Sequence, residues 1–393
     1  MQLRHRAAQR LAALLLPVLL LVGASASSAA PEPFEINVML PLTGPVAVLG
    51  KTFAFSLSIL EQQVNATNGI GGRPLKFVIQ DDQSNPQITL QLINGLIAKG
   101  VALIIGPSAS ANCNAILPLL KDGPVDFCLS PGLHTEKGSY AFSAIPSTLD
   151  LGIVTARYAR YRGWKKMAFI YTTDGSGRDG EQMVTQAFGL PEFKGVSIVD
   201  VEHYAVGDIS VSAQMARIKA SGADALYIWA TGTPSGTALR AAADAGLELP
   251  ILTSYANATP DQMRAYKTFL PKELLFPGVP TLAAEQLPKG RLRDQVFAYF
   301  HAFEVLGAKA DIGNPGAYDA GMLAVNAFRK LGTNATAPQI RDYLANLRGY
   351  VGVVGTFDFQ AVPQRGVNYK SSLIMSRWDP VKETWVGVAP LGD

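Results

Sequence analysis

Short apolar runs alternate with stretches of helical periodicity along most of the chain. Residues 34–41 are mostly apolar, whereas residues 53–64 repeat apolar side chains three or four positions apart, so the pattern predicts a strand followed by a helix. Asn85 and Pro86 predict the start of a second helix, because Asn is a good N-cap and Pro suits the first helical position. Further strands are predicted at 75–80, 102–106, 125–129, 166–172, 197–204, 225–230 and 250–254, and further helices at 149–162, 209–220 and 234–245.

Strand–helix alternation predicts an α/β fold whose parallel sheets are covered by helices on both faces. The alternation begins afresh after the helix at 149–162, and a single core rarely exceeds about 250–300 residues. We therefore expect two doubly wound, Rossmann-like lobes. The helices at 292–306 and 317–331 follow one another without a strand and are expected to cover the first sheet. Residues 355–358, 369–378 and 384–388 are predicted to be terminal strands.

The first 30 residues have the pattern of a secretory signal peptide. Three arginines precede an apolar run at 11–22, and small residues follow at 24–30. A membrane anchor is the alternative, but the run is shorter than the ~20 residues that span a bilayer. The mature protein is therefore expected to be soluble and exported.

The formal charge of +3 comes from that leader, because the rest of the chain holds 31 basic and 31 acidic residues. A neutral mature chain gives no electrostatic reason to expect a nucleic-acid or anionic-membrane partner. Cys113 and Cys128 are expected to form a disulfide in an oxidising compartment, with two free buried thiols as the alternative. No other cysteine is present, so neither a zinc site nor any other metal or cofactor is predicted.

The chain carries no recognisable catalytic motif. It lacks G-x-S-x-G, H-E-x-x-H and the glycine-rich phosphate loops, and its four histidines leave little material for a catalytic triad. Tyr161 and Lys165 have the Y-x-x-x-K spacing of short-chain dehydrogenases, but no glycine fingerprint follows the first strand. No catalytic residue and no enzymatic activity are predicted.

The loops that follow the strands are the expected place for a ligand, because open α/β sheets bind ligands beyond the carboxyl ends of their strands. Residues 106–112 run from a strand into a helix, and their hydroxyls and N–H groups suit an anionic oxygen. Ser110 could instead merely cap that helix. His134 follows the next strand and could instead be an ordinary surface histidine.

Several segments, in their order, resemble the leucine/isoleucine/valine-binding family of type I periplasmic binding proteins. They are 40–45 (LPLTGP), 68–75 (NGIGGRPL), 81–86 (DDQSNP), 105–107 (IGP), 129–131 (LSP) and 239–247. The resemblance implies two lobes joined by three hinge crossovers, which close on a small-molecule ligand and deliver it to an inner-membrane ABC permease. It implies a monomer with residues 31–148 and 280–355 in one lobe and 149–279 and 356–393 in the other.

The resemblance also implies site residues. The family's anchoring serine falls on Ser110, and the next anchoring positions fall on Gly132 and His134, which in amino-acid binders hold the ligand's carboxylate. The acidic partner of the ligand's ammonium falls on Tyr255, and a second acidic contact falls on Thr148. Two family tyrosines fall on Thr231 and Ser176. The remaining expected ligand contacts are Thr43, Leu49, Ser108 and Tyr318, although Tyr255 and Tyr318 could instead be packing residues.

These departures predict the kind of ligand. An ammonium closed into a dry cleft without a carboxylate costs about 3–5 kcal/mol, which is two to four orders of magnitude in affinity. We therefore expect a small organic carboxylate with an uncharged, aromatic remainder, and the chain also resembles the aromatic-acid-binding subgroup. The alternatives are a branched-chain amino acid, an amide or urea as ligand, and a sensor that reports its ligand to a signalling partner.

Overall fold

The computed structural model describes residues 31–392, so the predicted signal peptide lies outside the described residues. Two large β-sheets, each flanked by helices, account for most of these residues. A separate two-stranded sheet completes the β structure that is described.

The first sheet consists of five parallel strands in the order β2-β1-β3-β4-β5. Its strands and the helices between them are β1 (Phe34–Leu40), α1 (Ala47–Ala66), β2 (Leu75–Asp81), α2 (Pro86–Ala98), β3 (Leu103–Ile105), α3 (Ser110–Ile116), β4 (Val125–Cys128) and β5 (Ala141–Ser143). The chain leaves β1 towards one side and β3 towards the other, so the loops after β1 and β3 diverge at a topological switch point. This is where a crevice for a ligand is expected in such sheets.

The second sheet has seven strands in the order β14-β13-β10-β9-β8-β6-β7. Its first part comprises α4 (Thr148–Tyr161), β6 (Lys166–Thr172), α5 (Gly175–Phe188), β7 (Ser197–Tyr204), α6 (Ser212–Ala220), β8 (Ala225–Trp229), α7 (Thr233–Asp244), β9 (Ile251–Thr253), α8 (Pro260–Tyr266) and β10 (Leu274–Gly278). The last part of the chain comprises α9 (Arg291–Val305), α10 (Gly316–Leu331), α11 (Ala337–Ala345), β11 (Arg348–Val351), β12 (Thr356–Asp358), α12 (Tyr369–Ser372), β13 (Ile374–Asp379) and β14 (Thr384–Ala389). Strands β6 to β10 are parallel, and β13 and β14 extend the sheet antiparallel.

The chain passes between the two sheets three times. It crosses first before β6 and returns after β10, when α10 packs against α1 and β3 and α11 packs against β4. It crosses again before β13. The approach of α10 to α1 depends on Gly321, because a Cβ there would lie 2.5 Å from Leu60 Cδ2. The expected α/β fold of two lobes, with the late helices covering the first sheet, is confirmed.

The predicted lobe boundaries stay a prediction, although the strands on either side of them lie in the expected sheets. One feature crosses them, because β12 pairs with β11 in the small two-stranded sheet. The predicted strand at 355–358 is present as β12, and its partner is β11 of the first lobe's part of the chain.

Other differences follow from local signals. The predicted strand 369–378 begins as helix α12, because the Asn368 side chain accepts a hydrogen bond from Lys370 N and caps a helical turn. The start of α2 agrees with the prediction, since Asn85 caps it and Pro86 is its first residue. The short strands β5, β10 and β11 and the helices α8 and α11 were not predicted.

Candidate functional site

A cavity of about 330 Å³ lies between the carboxyl ends of the two sheets. The first sheet lines it with the loops after β1, β3 and β4, and the second lines it with the loops after β6, β7, β8, β9 and β10. The start of α10 and the crossover before α4 close its remaining sides. Both lobes therefore supply walls, as the positions of the predicted loops require.

Most of the predicted site residues lie at this cavity. Those that line it are Leu49, Ser108, Ser110, Gly132, Thr148, Ser176, Thr231 and Tyr255. Three others, Thr43, His134 and Tyr318, do not line it, and each has a different partner.

Thr43 is exposed, and its hydroxyl donates to Asp81 Oδ2 at 2.7 Å. The same carboxylate accepts hydrogen bonds from the backbone N–H groups of Leu42 and Thr43. Thr43 therefore fastens the loop after β1 to the end of β2, and it is not placed to contact a ligand in the cavity.

Tyr318 belongs to the core, which is the alternative that the sequence left open. Its hydroxyl donates to Gln63 Oε1 at 2.7 Å, and its ring meets the Tyr299 ring edge-on at 5.0 Å. Burial raises the pKa of Tyr318 to about 12, so the phenol stays neutral. Tyr318 joins α10 to α1 and does not reach the cavity.

His134 does not line the cavity, and 54% of its side chain is exposed. Its Nε2 atom contacts Asp179 Oδ1, and Asp179 Oδ2 accepts a hydrogen bond from the Thr148 hydroxyl. Sequence reasoning missed Asp179, which lies inside α5. Gly132 is confined beside it, because a Cβ there would lie 2.7 Å from Asp179 Oδ2 and 2.6 Å from Ser110 Oγ.

Ser110 stands at the end of a short chain of hydrogen bonds. Gly132 N donates to Ser130 Oγ at 3.3 Å, and Ser130 Oγ lies 2.7 Å from Ser110 Oγ. When Ser130 donates to Ser110, the Ser110 hydroxyl proton is left for an acceptor in the cavity. The N-cap of α3 is Ala109, without a side-chain cap, so the alternative role of Ser110 as a helix cap is wrong.

Two more polar side chains of the same loop line the cavity. Ser108 Oγ is buried and has no hydrogen-bond partner among the described residues. Asn112 is buried near the carboxyl of Asp82, and neither polar atom of its amide has a hydrogen-bond partner among the described residues. Burial raises the pKa of Asp82, while the Ser84 N–H and the Asn112 amide act in the opposite direction. Since buried polar groups are normally paired, Ser108 in particular is available to a ligand or a water molecule.

The cavity also has an aromatic part that includes Phe53, Trp229 and Tyr255. Tyr255 follows β9 and is 4% exposed, and burial raises its pKa against the opposing effect of the nearby Arg365 charge. Sequence reasoning missed Trp229, the last residue of β8, because it ends a run that predicted an ordinary buried strand. Its position at a carboxyl end was the signal that could have identified it.

Charge is sparse at the cavity. Of the described residues that line it, only Asp174 carries a formal charge. Asp174 is exposed, and its Oδ1 atom caps α5 by accepting from Gly177 N at 2.9 Å and from Thr172 Oγ1 at 2.8 Å. Its carboxylate is therefore already used by the protein.

A buried cation lies behind the loop after β4. The Arg365 guanidinium donates to the carbonyl oxygens of Pro131, Leu133 and Ile145. Desolvation lowers the pKa of Arg365, while the charges of Asp150 and Asp179 act in the opposite direction. Its hydrogen bonds hold the loop after β4 and place a positive charge close to Tyr255.

Cys113 and Cys128 form a disulfide in the structure. Cys113 lies one turn after Ser110 on α3, and Cys128 ends β4, two residues before Ser130. The bond therefore ties together the two elements that carry the serine pair.

A family model described as "Periplasmic binding protein" matches residues 33–373. The chain belongs to this family. Among curated relatives, this periplasmic binding protein is 25% identical over 234 residues to the leucine-, isoleucine-, valine-, threonine- and alanine-binding protein of Pseudomonas aeruginosa, covering 58% of this chain and 62% of that one. It is 26% identical over 239 residues to Leu/Ile/Val-binding protein homolog 6 of Brucella suis, covering 59% and 60%. The match thus spans about three fifths of the length of these relatives.

Solved structures share the fold of this periplasmic binding protein. An extracellular ligand-binding receptor from Rhodopseudomonas palustris superimposes with a TM-score of 0.79 at 19% identity, covering 90% of this chain and 99% of that one. The LivJ substrate-binding protein of Streptococcus pneumoniae, solved with isoleucine, gives 0.74 at 17% identity, covering 91% and 100%. Together with the relatives, they support the type I, Leu/Ile/Val-binding branch of the family.

The described part of this periplasmic binding protein contains neither a membrane-crossing helix nor a cluster of metal-ligating side chains. No helix within residues 31–392 combines the length and apolar character needed to cross a bilayer. The same residues contain no group of three or more His, Cys, Asp or Glu side chains that could hold a metal ion.

Proposed function

We propose that this chain is the periplasmic solute-binding component of an ABC transporter and that it captures a small carboxylate with an uncharged, aromatic remainder. Family membership supports the binding role, and the cavity between the lobes supports capture by closure. The closed protein would then present both lobes to an inner-membrane permease, acting as a monomer.

The carboxylate would be held by the first lobe. The Ser110 hydroxyl can donate into the cavity, and the unpaired Ser108 hydroxyl lies on the same loop. The positive charge of Arg365 stands behind the neighbouring loop after β4, where it favours an anion over a cation in the cavity. A carboxylate in this position would complete hydrogen bonds that the protein leaves open.

The observation that carries the proposal is the shortage of negative charge at the cavity. Among the described residues that line the cavity, Asp174 is the single carboxylate, and it is exposed and caps a helix. A buried ammonium without a dedicated partner costs about 3–5 kcal/mol. An uncharged remainder avoids this cost, and the aromatic side chains of the cavity suit an aromatic one.

A second candidate function, binding of a branched-chain amino acid, has its own support. Asp174 lines the cavity and could turn towards an ammonium, and the curated relatives are named for such amino acids. This would require Asp174 to give up part of its cap on α5.

Thermal shift separates the two candidates. The purified mature protein would be tested with benzoate, cinnamate, leucine, isoleucine and valine, with benzyl alcohol as the control that lacks the carboxylate. A ligand at 100 times its Kd adds about 2.7 kcal/mol of stability. We expect the aromatic acids alone to raise the Tm. A rise with the branched-chain amino acids and none with the acids would overturn the ligand assignment and leave the binding role intact.

A further inference from the structure

Trp229 holds a fixed position in the cavity wall. It is 4% exposed, and its Nε1–H donates to the backbone oxygen of Ser176, in the first turn of α5, at 2.9 Å. The indole has only this one donor. Because the protein already uses it, the ring can offer a ligand only its π surface and its C–H edges.

The helix beneath the ring keeps it in place. Gly180 lies four residues after Ser176 and therefore on the same face of α5. A Cβ at Gly180 would lie 2.4 Å from both Cδ1 and Nε1 of the indole. The ring thus rests directly on the helix backbone, and the Tyr227 ring meets it edge-on at 5.7 Å. These contacts leave it little freedom to rotate.

The two lobes contribute different surfaces to the cavity. Trp229 belongs to the second lobe, whereas Leu49 and Phe53 of α1 line the cavity from the first lobe. When the carboxylate of a ligand is held at Ser110, the rest of the ligand lies between two surfaces. Leu49 and Phe53 form the surface of the first lobe, and the fixed indole forms that of the second. A flat ring makes the largest contact with a fixed indole, since offset-stacked and edge-to-face pairs are preferred.

We propose that Trp229 is the specificity-determining residue that selects a planar aromatic ring over a saturated ring of the same size, with Gly180 as the residue that positions it. This inference rests on the proposed function and deepens it, because it assigns the preference for an aromatic remainder to one side chain. Aromatic pairing of this kind corresponds to about a two- to tenfold preference in Kd.

Calorimetric titration of benzoate and cyclohexanecarboxylate tests the inference, because the two acids share the carboxylate and differ in ring planarity. We expect the wild-type protein to prefer benzoate about two- to tenfold. Trp229→Leu should abolish this preference, because the Kd of benzoate should rise more than the Kd of cyclohexanecarboxylate. Trp229→Phe should retain part of the preference. Trp378→Phe, in a tryptophan pair with Trp385 outside the cavity wall, is the control and should leave the preference unchanged.

Gly180→Ala gives a second, independent readout should Trp229→Leu fail to fold. The added Cβ displaces the indole, so the benzoate preference should fall while the melting curve stays cooperative. Equal binding of the two acids to the wild type, or an unchanged preference in Trp229→Leu or in a folded Gly180→Ala variant, would overturn the inference alone. Binding of neither acid to the wild type would overturn the proposed ligand class and this inference with it.

Discussion

His134 and Asp179 contact each other across the two lobes. The imidazole Nε2 atom, in the loop after β4, meets Oδ1 of a carboxylate on α5, and the other carboxylate oxygen accepts from the Thr148 hydroxyl. Because β4 and α5 belong to different lobes, the contact exists only when the lobes are close together. It therefore acts on the closed form of the protein without touching the ligand.

Removal of this contact should weaken ligand binding indirectly. Asp179→Ala removes the contact between the lobes, and we expect an increase in Kd of up to about fivefold, because an exposed polar contact contributes at most about 1 kcal/mol. Calorimetry with the ligand found by thermal shift measures it. Lys272→Ala breaks an exposed ion pair with Glu248 within the second lobe and should change nothing. A wild-type Kd for Asp179→Ala would mean that the contact does not support closure.

Ser110→Ala should weaken binding more strongly. It removes a hydroxyl that the proposal places on the ligand's carboxylate, and a hydrogen bond to a charged group contributes about 1.5–3 kcal/mol, or roughly ten- to a hundredfold in Kd. The matched control is Ser58→Ala, an exposed serine that donates only to its own helix. His134→Ala should have a smaller effect than Ser110→Ala, because His134 does not line the cavity. Should Ser110→Ala and Ser108→Ala both bind normally, the anchor must lie elsewhere.

Loss of the disulfide should reduce stability more than binding. The bond closes a segment with a sequence separation of 15, and the entropy of such a loop corresponds to roughly 3 kcal/mol of unfolding free energy. Urea unfolding of a Cys113→Ala, Cys128→Ala variant measures this loss against the oxidised wild type. The folded variant should still bind ligand. An unfolding free energy equal to that of the wild type would show that the loop constraint contributes little.

Asp319 should make stability depend on pH. Its carboxyl group accepts hydrogen bonds from Val353 N and Val354 N, and burial raises its pKa from 3.8 to about 7. The folded protein therefore binds this proton more tightly than the unfolded chain, so the contribution favours the fold at low pH and is lost as the pH rises to 7. Between pH 4 and 8, the stability of the wild type relative to Asp319→Asn should fall by roughly 4 kcal/mol.

Urea unfolding at several pH values checks this difference. Asp379→Asn is the control, because hydrogen bonding, chiefly from the Lys382 N–H, lowers the pKa of Asp379. The contribution of Asp379 to stability changes only below about pH 4. The difference in unfolding free energy between the wild type and this variant should therefore stay constant between pH 4 and 8. If the difference in unfolding free energy between the wild type and Asp319→Asn also stayed constant, the raised pKa of Asp319 would be contradicted.

The fold could be predicted because its elements are set by local patterns. Buried parallel strands need continuous apolar runs, and covering helices need a periodic face, so both are visible along the chain. Asn85 and Pro86 mark the start of α2 for the same local reason. The failures occurred where short-range signals compete, as at Asn368, whose capping side chain starts a helix within an apolar run.

The site could be predicted only to the level of loops. The carboxyl ends of the strands locate Ser108, Ser110 and Tyr255, but the direction of a side chain depends on partners that are distant in sequence. Asp81 holds Thr43, and Asp179 holds His134. Trp229 was missed for the same reason, since only the packing of α5 against β8 decides that an apolar residue at a strand end faces a cavity.

The return of α10 to the first sheet has a consequence for how the chain acquires its structure. The core around β1 and β3 is sealed by a helix that begins more than 200 residues later, at Gly316. Contacts so far apart in sequence form slowly, because a long loop must close before they are made. A growing polypeptide of this design therefore keeps the core around β1 and β3 incompletely packed until its final fifth is synthesised.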